Sequence, residues 1–331
     1  MGAEPLLPKK THTHTEPNSP LILGLQPSAL IDHVAKIDSS LLAQIPGERG
    51  GSIAVAIEDL EHILNEVKTH ILSSPPDPSP MRTMAGGSVA NTIRGLSAGF
   101  GVNCGILGAC GDDEQGGLFV SNMGSSGVNL SALRIKKGPT AQCVCLVDAL
   151  GNRTMRPCLS SAVKIQAEEL TKEDFKGVKM VRNFRGPLLE LLQSGDIDLC
   201  FANEDEAREV LRDDENASPE AALEFLAKHC QWAVVTLGSN GCLAKCGREM
   251  VRVPAIGEAK ATDATGAGDL FAGGFLYGLV KGLSLEECCR VGTCSGGSVI
   301  RSLGGEVTPE NWQWMYKQMQ IKGLPVPGLR Q

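Results

Sequence analysis

Strand-like and helix-like segments alternate along the second half of the chain, and this alternation constrains the fold more than any other feature. The apolar run WAVVTL is typical of a buried strand. Ser218 before a proline and the capping box from Ser284 to Glu287 are typical helix starts. The predicted order is a strand at 197–202, helices at 204–212 and 219–230, a strand at 232–237, and helices after Gly268 and Ser284. This order favours an α/β fold with a parallel sheet covered by helices.

The first half of the chain predicts similar elements and one hairpin. Apolar residues at helical spacing predict a helix within 53–72, which the proline-rich residues 73–80 must end. Two further helices are predicted at 88–99 and 116–127, and two strands at 21–25 and 102–109. Residues 141–148 and 153–158 flank a short turn and predict a hairpin. An inserted hairpin of this kind often forms a lid or a dimer surface.

Composition excludes several classes of protein. Lysine and arginine are interspersed with acidic residues and the net charge is -7, which argues against a nucleic-acid partner. No apolar run reaches the roughly 18 residues that a membrane span requires. The 12 cysteines form no zinc pattern with histidine, and we see no signal peptide, so we expect reduced thiols and a cytoplasmic location. Residues 1–20 are expected to be a disordered tail.

The most informative motif is DATGAGD at 263–269. Its small residues Gly266, Ala267 and Gly268 allow a turn that opens a helix, so their amides can converge at the positive end of the helix dipole. That arrangement suits negative charge on a transferring phosphoryl group. Asp269, in the first helical turn, could take a proton from an attacking hydroxyl. The alternative is a glycine-rich connection with Asp269 as an ordinary helix-start residue.

This motif resembles the C-terminal signature of the pfkB/ribokinase family of carbohydrate and nucleoside kinases, which reads roughly D-T-x-G-A-G-D; here Ala264 is in the second position. The resemblance covers about residues 20–316. It implies a ribokinase-like three-layer αβα sandwich with a small β lid. We expect a single kinase domain at 21–320, lid segments near 33–56 and 138–160, and a C-terminal tail at 321–331.

The resemblance also implies an acceptor site in the first half of the chain. AGGSVAN at 85–91 is similar to the family's N-terminal glycine motif, so Gly86 and Gly87 would let the substrate approach the backbone and Asn91 would contact it. Asp32 matches the family's early aspartate, which holds substrate hydroxyls. The alternatives are a glycine turn opening a helix and an ordinary cap or surface aspartate. The family-like glycine run at 108–116 is interpreted as structural.

Motifs for the nucleotide and its metal follow in the family's order. NEDE at 203–206 matches N-x-x-E, which implies that Asn203 and Glu206 organise Mg²⁺; a helix start rich in acids is the alternative. TLGSNG at 236–241 resembles T-x-G-x-x-G, which would lie along ATP. The implied ATP-binding residues are Thr236, Gly238, Gly241, Thr265 and Ser298. A monovalent cation at Asp263 and carbonyls near 301–306 is a further expectation.

The chain departs from the family pattern in its centre. The family has a further βαβ passage before the strand that ends at Asn203, and such a unit takes roughly 30 residues. We find no apolar strand between Phe175 and Gly186, so we expect a stretch of central sheet to be missing, near 176–196. The motifs named above are all present despite this shortening. The missing strands would expose buried helix faces and lower the stability of the fold.

Three functions remain to be compared. The first is an ATP-dependent phosphotransferase acting on a hydroxyl of a nucleoside or sugar, with Asp269 as general base and a homodimer through the hairpin as a further expectation. The second is a catalytically impaired protein of the same fold with a binding or regulatory role. The third is a dehydrogenase, which is disfavoured because no GxGxxG with a following acidic residue succeeds the first strand.

Overall fold

A computed structural model describes residues 20–73, 81–159, 163–175, 178, 180–183, 192–211, 217–256 and 261–328. The strands are β1 (Ile22–Ser28), β2 (Leu30–Lys36), β3 (Met81–Gly86), β4 (Cys104–Gly111), β5 (Leu133–Lys136), β6 (Ala141–Val147), β7 (Arg153–Cys158), β8 (Met180–Asn183), β9 (Leu199–Asn203), β10 (Trp232–Thr236), β11 (Cys242–Cys246) and β12 (Glu249–Val253). The α-helices are α1 (Ser39–Leu42), α2 (Ile57–Ser73), α3 (Ser88–Phe100), α4 (Glu114–Ser125), α5 (Glu204–Val210), α6 (Pro219–Leu226), α7 (Ala267–Val280), α8 (Leu285–Val299) and α9 (Pro309–Ile321).

Two four-stranded sheets form the central layer. The first has the order β5-β4-β1-β8 and its pairs are all parallel. The second has the order β12-β11-β10-β9, with β9 and β10 parallel and the remaining pairs antiparallel. The parallel pairs and the helices that cover them confirm the α/β class predicted from the alternation of elements.

Helix α7 lies at the centre of the packing. Its residues from Leu270 to Leu279 are all buried, since it packs against α3 on one side and α8 on the other. Phe275 of this helix meets Phe201 of β9 edge to face, with ring centroids 5.3 Å apart. A helix that is apolar all round must be buried, so α7 forms a fixed base for the motif at its start.

A third sheet, which we call the lid sheet, has the order β3-β2-β6-β7. The predicted hairpin is confirmed as the antiparallel pair β6–β7, and β6 runs parallel to β2. Helix α2 covers the outer face of this sheet through buried Leu60, Ile63 and Val67. The first of the two expected lid segments supplies most of β2 and the second supplies β6 and β7.

A strand does lie between Phe175 and Gly186, where the sequence predicted no apolar strand. Strand β8 pairs in parallel with the free edge of β1, from Ile22 with Met180 to Leu25 with Asn183. This strand is only four residues long and includes an arginine and an asparagine, so it lacks the apolar run by which a buried strand is recognised. Within the described residues, β8 and β9 belong to different sheets, and no strand lies between them in sequence.

Several predicted boundaries differ from the structure. The helix predicted at 219–230 ends at Leu226, and the one predicted within 53–72 begins at Ile57. The expected C-terminal tail includes residues that pack on the core, since Leu324 is buried and the Tyr277 hydroxyl donates to the Pro325 carbonyl. The expected tail up to residue 19 and the proline-rich loop after Ser73 lie outside the described residues. Among the described helices, none has the length and apolar character needed to cross a membrane.

Candidate active site

The turn before α7 leaves open space at the start of the helix. Gly266 caps the helix with φ at 78°, a left-handed conformation that glycine adopts without strain. A Cβ at this position would also lie 3.0 Å from the Cα of Gly305. A Cβ on Gly268 would instead meet no described atom within 4 Å. The first turn of α7 therefore presents its backbone to an open space, as an anion site requires.

Buried Asp263 fixes the approach to this turn. One oxygen of its fully buried carboxylate accepts hydrogen bonds from the Thr265 amide at 2.8 Å and the Thr265 hydroxyl at 2.7 Å. The other oxygen accepts from the Gly304 amide at 2.7 Å. Both carboxylate oxygens of Asp263 therefore hold the loop at 263–265 against residues near 304. The Thr265 hydroxyl is already hydrogen-bonded to this carboxylate.

Asp269 lies half-buried in the first turn of α7, where side chains from α3 position it. Its carboxylate accepts a hydrogen bond of 3.1 Å from the Asn91 amide. Its backbone carbonyl accepts one of 3.0 Å from the Thr92 hydroxyl. The Asn91 oxygen in turn accepts from Arg94 at 2.9 Å. The proposed acceptor-binding asparagine and the proposed base thus form one hydrogen-bonded unit.

Arg94, which the sequence did not single out, holds that unit in place. Its guanidinium is buried and donates to the carbonyls of Ala85 and Gly305, as well as to the side-chain oxygens of Asn91 and Asn122. Burial lowers the pKa of Arg94, against the raising effect of nearby carboxylates. A cationic residue one turn after Asn91, on a helix with no other charged residue, was the signal available in the sequence.

Asp32 lies on β2 with its side chain only 6% exposed. Its carboxylate lies over Gly86 so closely that a Cβ there would overlap it. Among the described residues, none donates a hydrogen bond to this carboxylate. Burial raises the pKa of Asp32 to about 7, while Arg94 lowers it and Asp269 raises it further. Asp32, which lies over Gly86, and Asp269, which accepts from Asn91, therefore both contact the segment 85–91.

Gln26 is a second residue that the sequence did not single out. Its side-chain nitrogen donates to the Gly86 carbonyl at 3.2 Å, and its oxygen accepts from the Ala90 amide at 2.9 Å. Gly87, with φ at 91°, lies against this side chain, and a Cβ there would come within 2.7 Å of it. Gln26 therefore fixes the glycine pair that begins α3.

The lid sheet reaches the turn before α7 through Arg153. The guanidinium of Arg153 on β7 donates to the Ala264 carbonyl at 3.4 Å and lowers the pKa of Asp32. In the turn before β7, a Cβ on Gly151 would lie 2.9 Å from the Ala261 carbonyl oxygen. The tip of the hairpin thus lies on the loop that leads to the open turn.

Two residues predicted to serve the nucleotide and metal end neighbouring strands. Asn203 at the end of β9 and Thr236 at the end of β10 are register partners in a parallel pair. Asn203 and Glu206 form a reciprocal capping box, each side chain accepting a backbone hydrogen bond of 2.8 Å from the other residue. Both side chains are exposed. Asn203 and Glu206 therefore cap α5, and the capping box leaves a second Glu206 oxygen for another ligand.

The remaining nucleotide candidates differ in their surroundings. Gly238, with φ at 54°, begins a short 3-10 turn and has open space where a Cβ would be. Gly241, with φ at 89°, passes so close to the Val253 carbonyl that a Cβ would overlap it. Ser298 is fully buried inside α8, where its hydroxyl donates to the Ser295 carbonyl at 2.6 Å. Gly238 therefore has room for a ligand, whereas the Ser298 hydroxyl is already paired.

A cavity of about 460 Å³ lies on the opposite side of β2 from Asp32. His33, Thr83 and Lys68 line it, together with residues from the start of α4. Because side chains alternate across a strand, His33 faces this cavity while Asp32 faces the site described above. The cavity is therefore separate from the cluster of Asp32, Asn91 and Asp269.

Comparison with known proteins identifies the family. The model of the pfkB family carbohydrate kinases matches residues 61–185 and 174–311. An uncharacterized sugar kinase of Archaeoglobus fulgidus is 26% identical over 246 residues, which cover 63% of this chain and 96% of that protein. The two family matches share residues 174–185, which overlap the predicted shortening near 176–196.

Two solved structures resemble the whole chain. A probable sugar kinase from Rhizobium etli has a TM-score of 0.78 and 25% identity, covering 92% of this chain and 99% of that one. The adenosine kinase from Sinorhizobium meliloti has a TM-score of 0.76 and 27% identity, covering 89% and 98%. These likenesses and those to ribokinases confirm the predicted ribokinase-like α/β fold. The chain belongs to the pfkB family of carbohydrate kinases and is a small-molecule kinase of the sugar and nucleoside kinase type.

Proposed function

We propose that this chain transfers the γ-phosphoryl group of ATP to a hydroxyl of a nucleoside or sugar, with Asp269 as general base. The observation that carries the proposal is the position of Asp269, whose carboxylate lies beside the open glycine turn and is fixed by Asn91. An acceptor hydroxyl between the carboxylate and the turn loses its proton to Asp269 as its oxygen attacks phosphorus. The amides of Gly266 and Gly268 stabilise charge on the phosphoryl oxygens, whereas the Ala267 amide, which the sequence also suggested, already donates to the Ala264 carbonyl at 3.2 Å.

The acceptor site that we propose consists of Asp32, Gly86, Gly87 and Asn91. The Asp32 carboxylate is buried and without a hydrogen bond from the described residues, so it is ready to accept hydroxyl donors from a ligand. A buried carboxylate favours the binding of a polyhydroxylated acceptor over an apolar one, because hydroxyl groups can donate hydrogen bonds to it. The relatives' names, sugar kinase and adenosine kinase, agree with such an acceptor. We favour an unphosphorylated nucleoside or pentose.

The nucleotide would lie along the ends of β9 and β10. The open space at Gly238 and the exposed pair Asn203 and Glu206 fit a phosphate chain with its divalent metal, because Mg²⁺ takes few carboxylates and several waters. Asn203 and Glu206 would hold Mg²⁺, which neutralises phosphate charge when bound. The edge-to-face contact of Phe201 with Phe271, at 6.4 Å, supports this arrangement since it ties the end of β9 to the first turns of α7.

The domain organisation belongs to the same proposal. Residues 21–320 would act as one kinase domain in which the lid sheet covers the acceptor. The contact of Arg153 with the Ala264 carbonyl supports this, because it joins the lid to the turn before α7. A homodimer through the hairpin, a monovalent cation near Asp263 and a cytoplasmic location stay predictions of the sequence.

A second function is favoured by one observation. Strands β8 and β9 lie in separate sheets within the described part of the chain, where the sequence lacks the family's further βαβ passage. A chain shortened here could bind ligands of the family without turnover and act as a binding or regulatory protein. Thermal stabilisation by ATP without release of ADP would identify it.

The test is ADP release by the purified chain with Mg-ATP across a panel of nucleosides, ribose and fructose. The proposal predicts turnover on one acceptor and a phosphorylated product of the matching mass. Circular dichroism and thermal unfolding show that the protein is folded. Folded protein that binds ATP but phosphorylates no acceptor in the panel would replace the enzyme with the binding protein.

A further inference from the structure

Three potential metal ligands converge on the face of the lid sheet that carries Asp32. Asp32 on β2 and Cys143 on β6 are register partners, and Cys145 follows on the same face of β6. Their side chains are buried, with exposed fractions of 6%, 3% and 0%. The three ligand atoms all lie within 4.8 Å of one another. Among the described residues, this is the one group of three or more such side chains that close together.

The spacing of the two sulfur atoms matches a tetrahedral metal. The Sγ atoms of Cys143 and Cys145 lie 3.7 Å apart. Two thiolates at about 2.3 Å from Zn²⁺, with a tetrahedral angle between them, lie roughly 3.8 Å apart. A hydrogen bond between two thiols gives a similar separation, but it leaves the buried Asp32 carboxylate without a partner. A metal would account for all three side chains.

We propose that Asp32, Cys143 and Cys145 form an inhibitory site for Zn²⁺. Binding forms two Zn–S bonds and one Zn–O bond, and any protons on these three groups pass to solvent. Three protein ligands leave the fourth position for water, which is the arrangement of an open zinc site. Thiolate ligands select Zn²⁺ over the hard Mg²⁺ that accompanies ATP. The proposal rests on the proposed function in one respect, namely that Asp32 binds the acceptor.

The site predicts a particular kind of inhibition. Zn²⁺ bound to one Asp32 oxygen neutralises charge on the carboxylate and, with its bound water, takes the space that an acceptor hydroxyl would enter. Zinc therefore competes with the acceptor and leaves the binding of ATP at β9 and β10 unchanged. Conversely, the acceptor must lower the affinity of the protein for zinc by the same factor, because coupling between binding sites is reciprocal.

Metal binding is tested on the full chain after removal of metal with a chelator. Zn²⁺ is titrated against an indicator, and Co²⁺ is used in parallel because its absorption reports tetrahedral geometry and thiolate bonds. We expect one tight site per chain, with thiolate bands for Co²⁺. Cys143→Ser and Cys145→Ser should each weaken the Zn²⁺ affinity more than about tenfold.

A matched control is available at Cys289. Cys289 and Cys242 are a second pair of neighbouring buried thiols, but the described residues supply no third ligand there. Cys289→Ser should therefore leave the Zn²⁺ affinity and the Co²⁺ spectrum unchanged. Thermal unfolding of each variant shows that it is folded.

Inhibition of the kinase activity is measured separately from metal binding. Zn²⁺ at fixed Mg-ATP should raise the KM for the acceptor without changing kcat, and Cys143→Ser should lose this effect. The proposal is overturned if folded wild-type protein shows no thiolate–cobalt band, or if Cys289→Ser loses the metal and Cys143→Ser retains it. Zinc bound at the cluster by a chain without turnover would refute the proposed kinase activity while the metal site stands.

Discussion

The amide of Asn91 donates a hydrogen bond of 3.1 Å to the carboxylate of Asp269, across 178 residues of sequence. The other end of the same amide accepts from Arg94, so the side chain of Asn91 can point only one way. The start of α3 and the start of α7 therefore place the proposed acceptor-binding side chain and the proposed general base in contact. Preorganisation of this kind is a general requirement of an efficient site.

Arg94 is expected to matter for both stability and catalysis. Arg94→Met removes four hydrogen bonds, two of them to backbone carbonyls in the core of the site. We expect the free energy of unfolding to fall by more than about 2 kcal/mol and kcat to fall because Asn91 no longer has a fixed orientation. Urea unfolding and steady-state kinetics measure the two effects.

Arg290→Met is the matched control for that prediction. Arg290 forms an exposed ion pair with Glu286 on α8, so its loss should change the free energy of unfolding by less than about 0.5 kcal/mol. If Arg94→Met retains the wild-type kcat at a temperature where it is fully folded, Arg94 does not position the catalytic unit.

Substitution of Gly268 should lower the activity without lowering the stability. A Cβ at this position meets no described atom within 4 Å, and alanine is a better helix former than glycine. Gly268→Ala should therefore keep or slightly raise the melting temperature, while its methyl group enters the space proposed for the phosphoryl group and lowers kcat. Thermal unfolding and ADP release measure both.

The comparison for Gly268→Ala is Gly266→Ala. Gly266 has φ at 78°, so a side chain there is strained and the melting temperature should fall as well as kcat. A Gly268→Ala variant with unchanged kcat would remove the proposed phosphoryl site from the turn before α7.

Asp32 should make the protein less stable as pH rises. Its pKa is raised from 3.8 to about 7 in the folded protein, so between these values the folded chain retains a proton that the unfolded chain has lost. Stability from Asp32 is therefore fully present below about pH 4 and lost as pH rises through about 7. We expect Asp32→Asn to exceed the wild type by up to about 4 kcal/mol at pH 8, with little difference at pH 4, in urea unfolding.

Asp148→Asn should show the opposite trend. Although burial acts against it, hydrogen bonds from Asn152 and Leu150 hold the pKa of Asp148 below its usual value. The stabilising contribution of Asp148 is present above the unfolded pKa and lost as pH falls.

Asp32→Asn should also raise the KM for the acceptor. An Asp32→Asn variant that is less stable than the wild type at pH 8 would show that the ionised Asp32 carboxylate does not destabilise the folded protein.

Local signals predicted the parts of the fold that are formed by neighbouring residues. The capping box at Ser284, the proline after Ser218 and the hairpin of β6 and β7 all lie within a few residues of their partners, and all three are confirmed. Strand β8 was missed because its four residues are defined by backbone pairing with the edge of β1, which no local pattern encodes.

Prediction of the candidate site was limited in the same way, because contacts between residues distant in sequence leave no local pattern. The glycine motifs and Asp269 are legible as runs of residues, whereas Arg94 acts through Gly305, which lies 211 residues away. The burial that raises the pKa of Asp32 depends on how the lid sheet packs, and a single aspartate after an apolar run does not reveal it. Sequence therefore suggests candidate site residues more readily than the residues that hold them in place.

The most direct test of the account is the kcat of Asp269→Asn at saturating ATP and acceptor, measured beside the wild type. The two side chains have nearly the same shape, and ATP binding measured by calorimetry shows that the nucleotide site is intact. We predict that kcat falls about 10²–10⁴-fold while the affinity for ATP changes little, because only proton transfer is removed. A variant that retains the wild-type kcat would contradict the assignment of Asp269 as the general base.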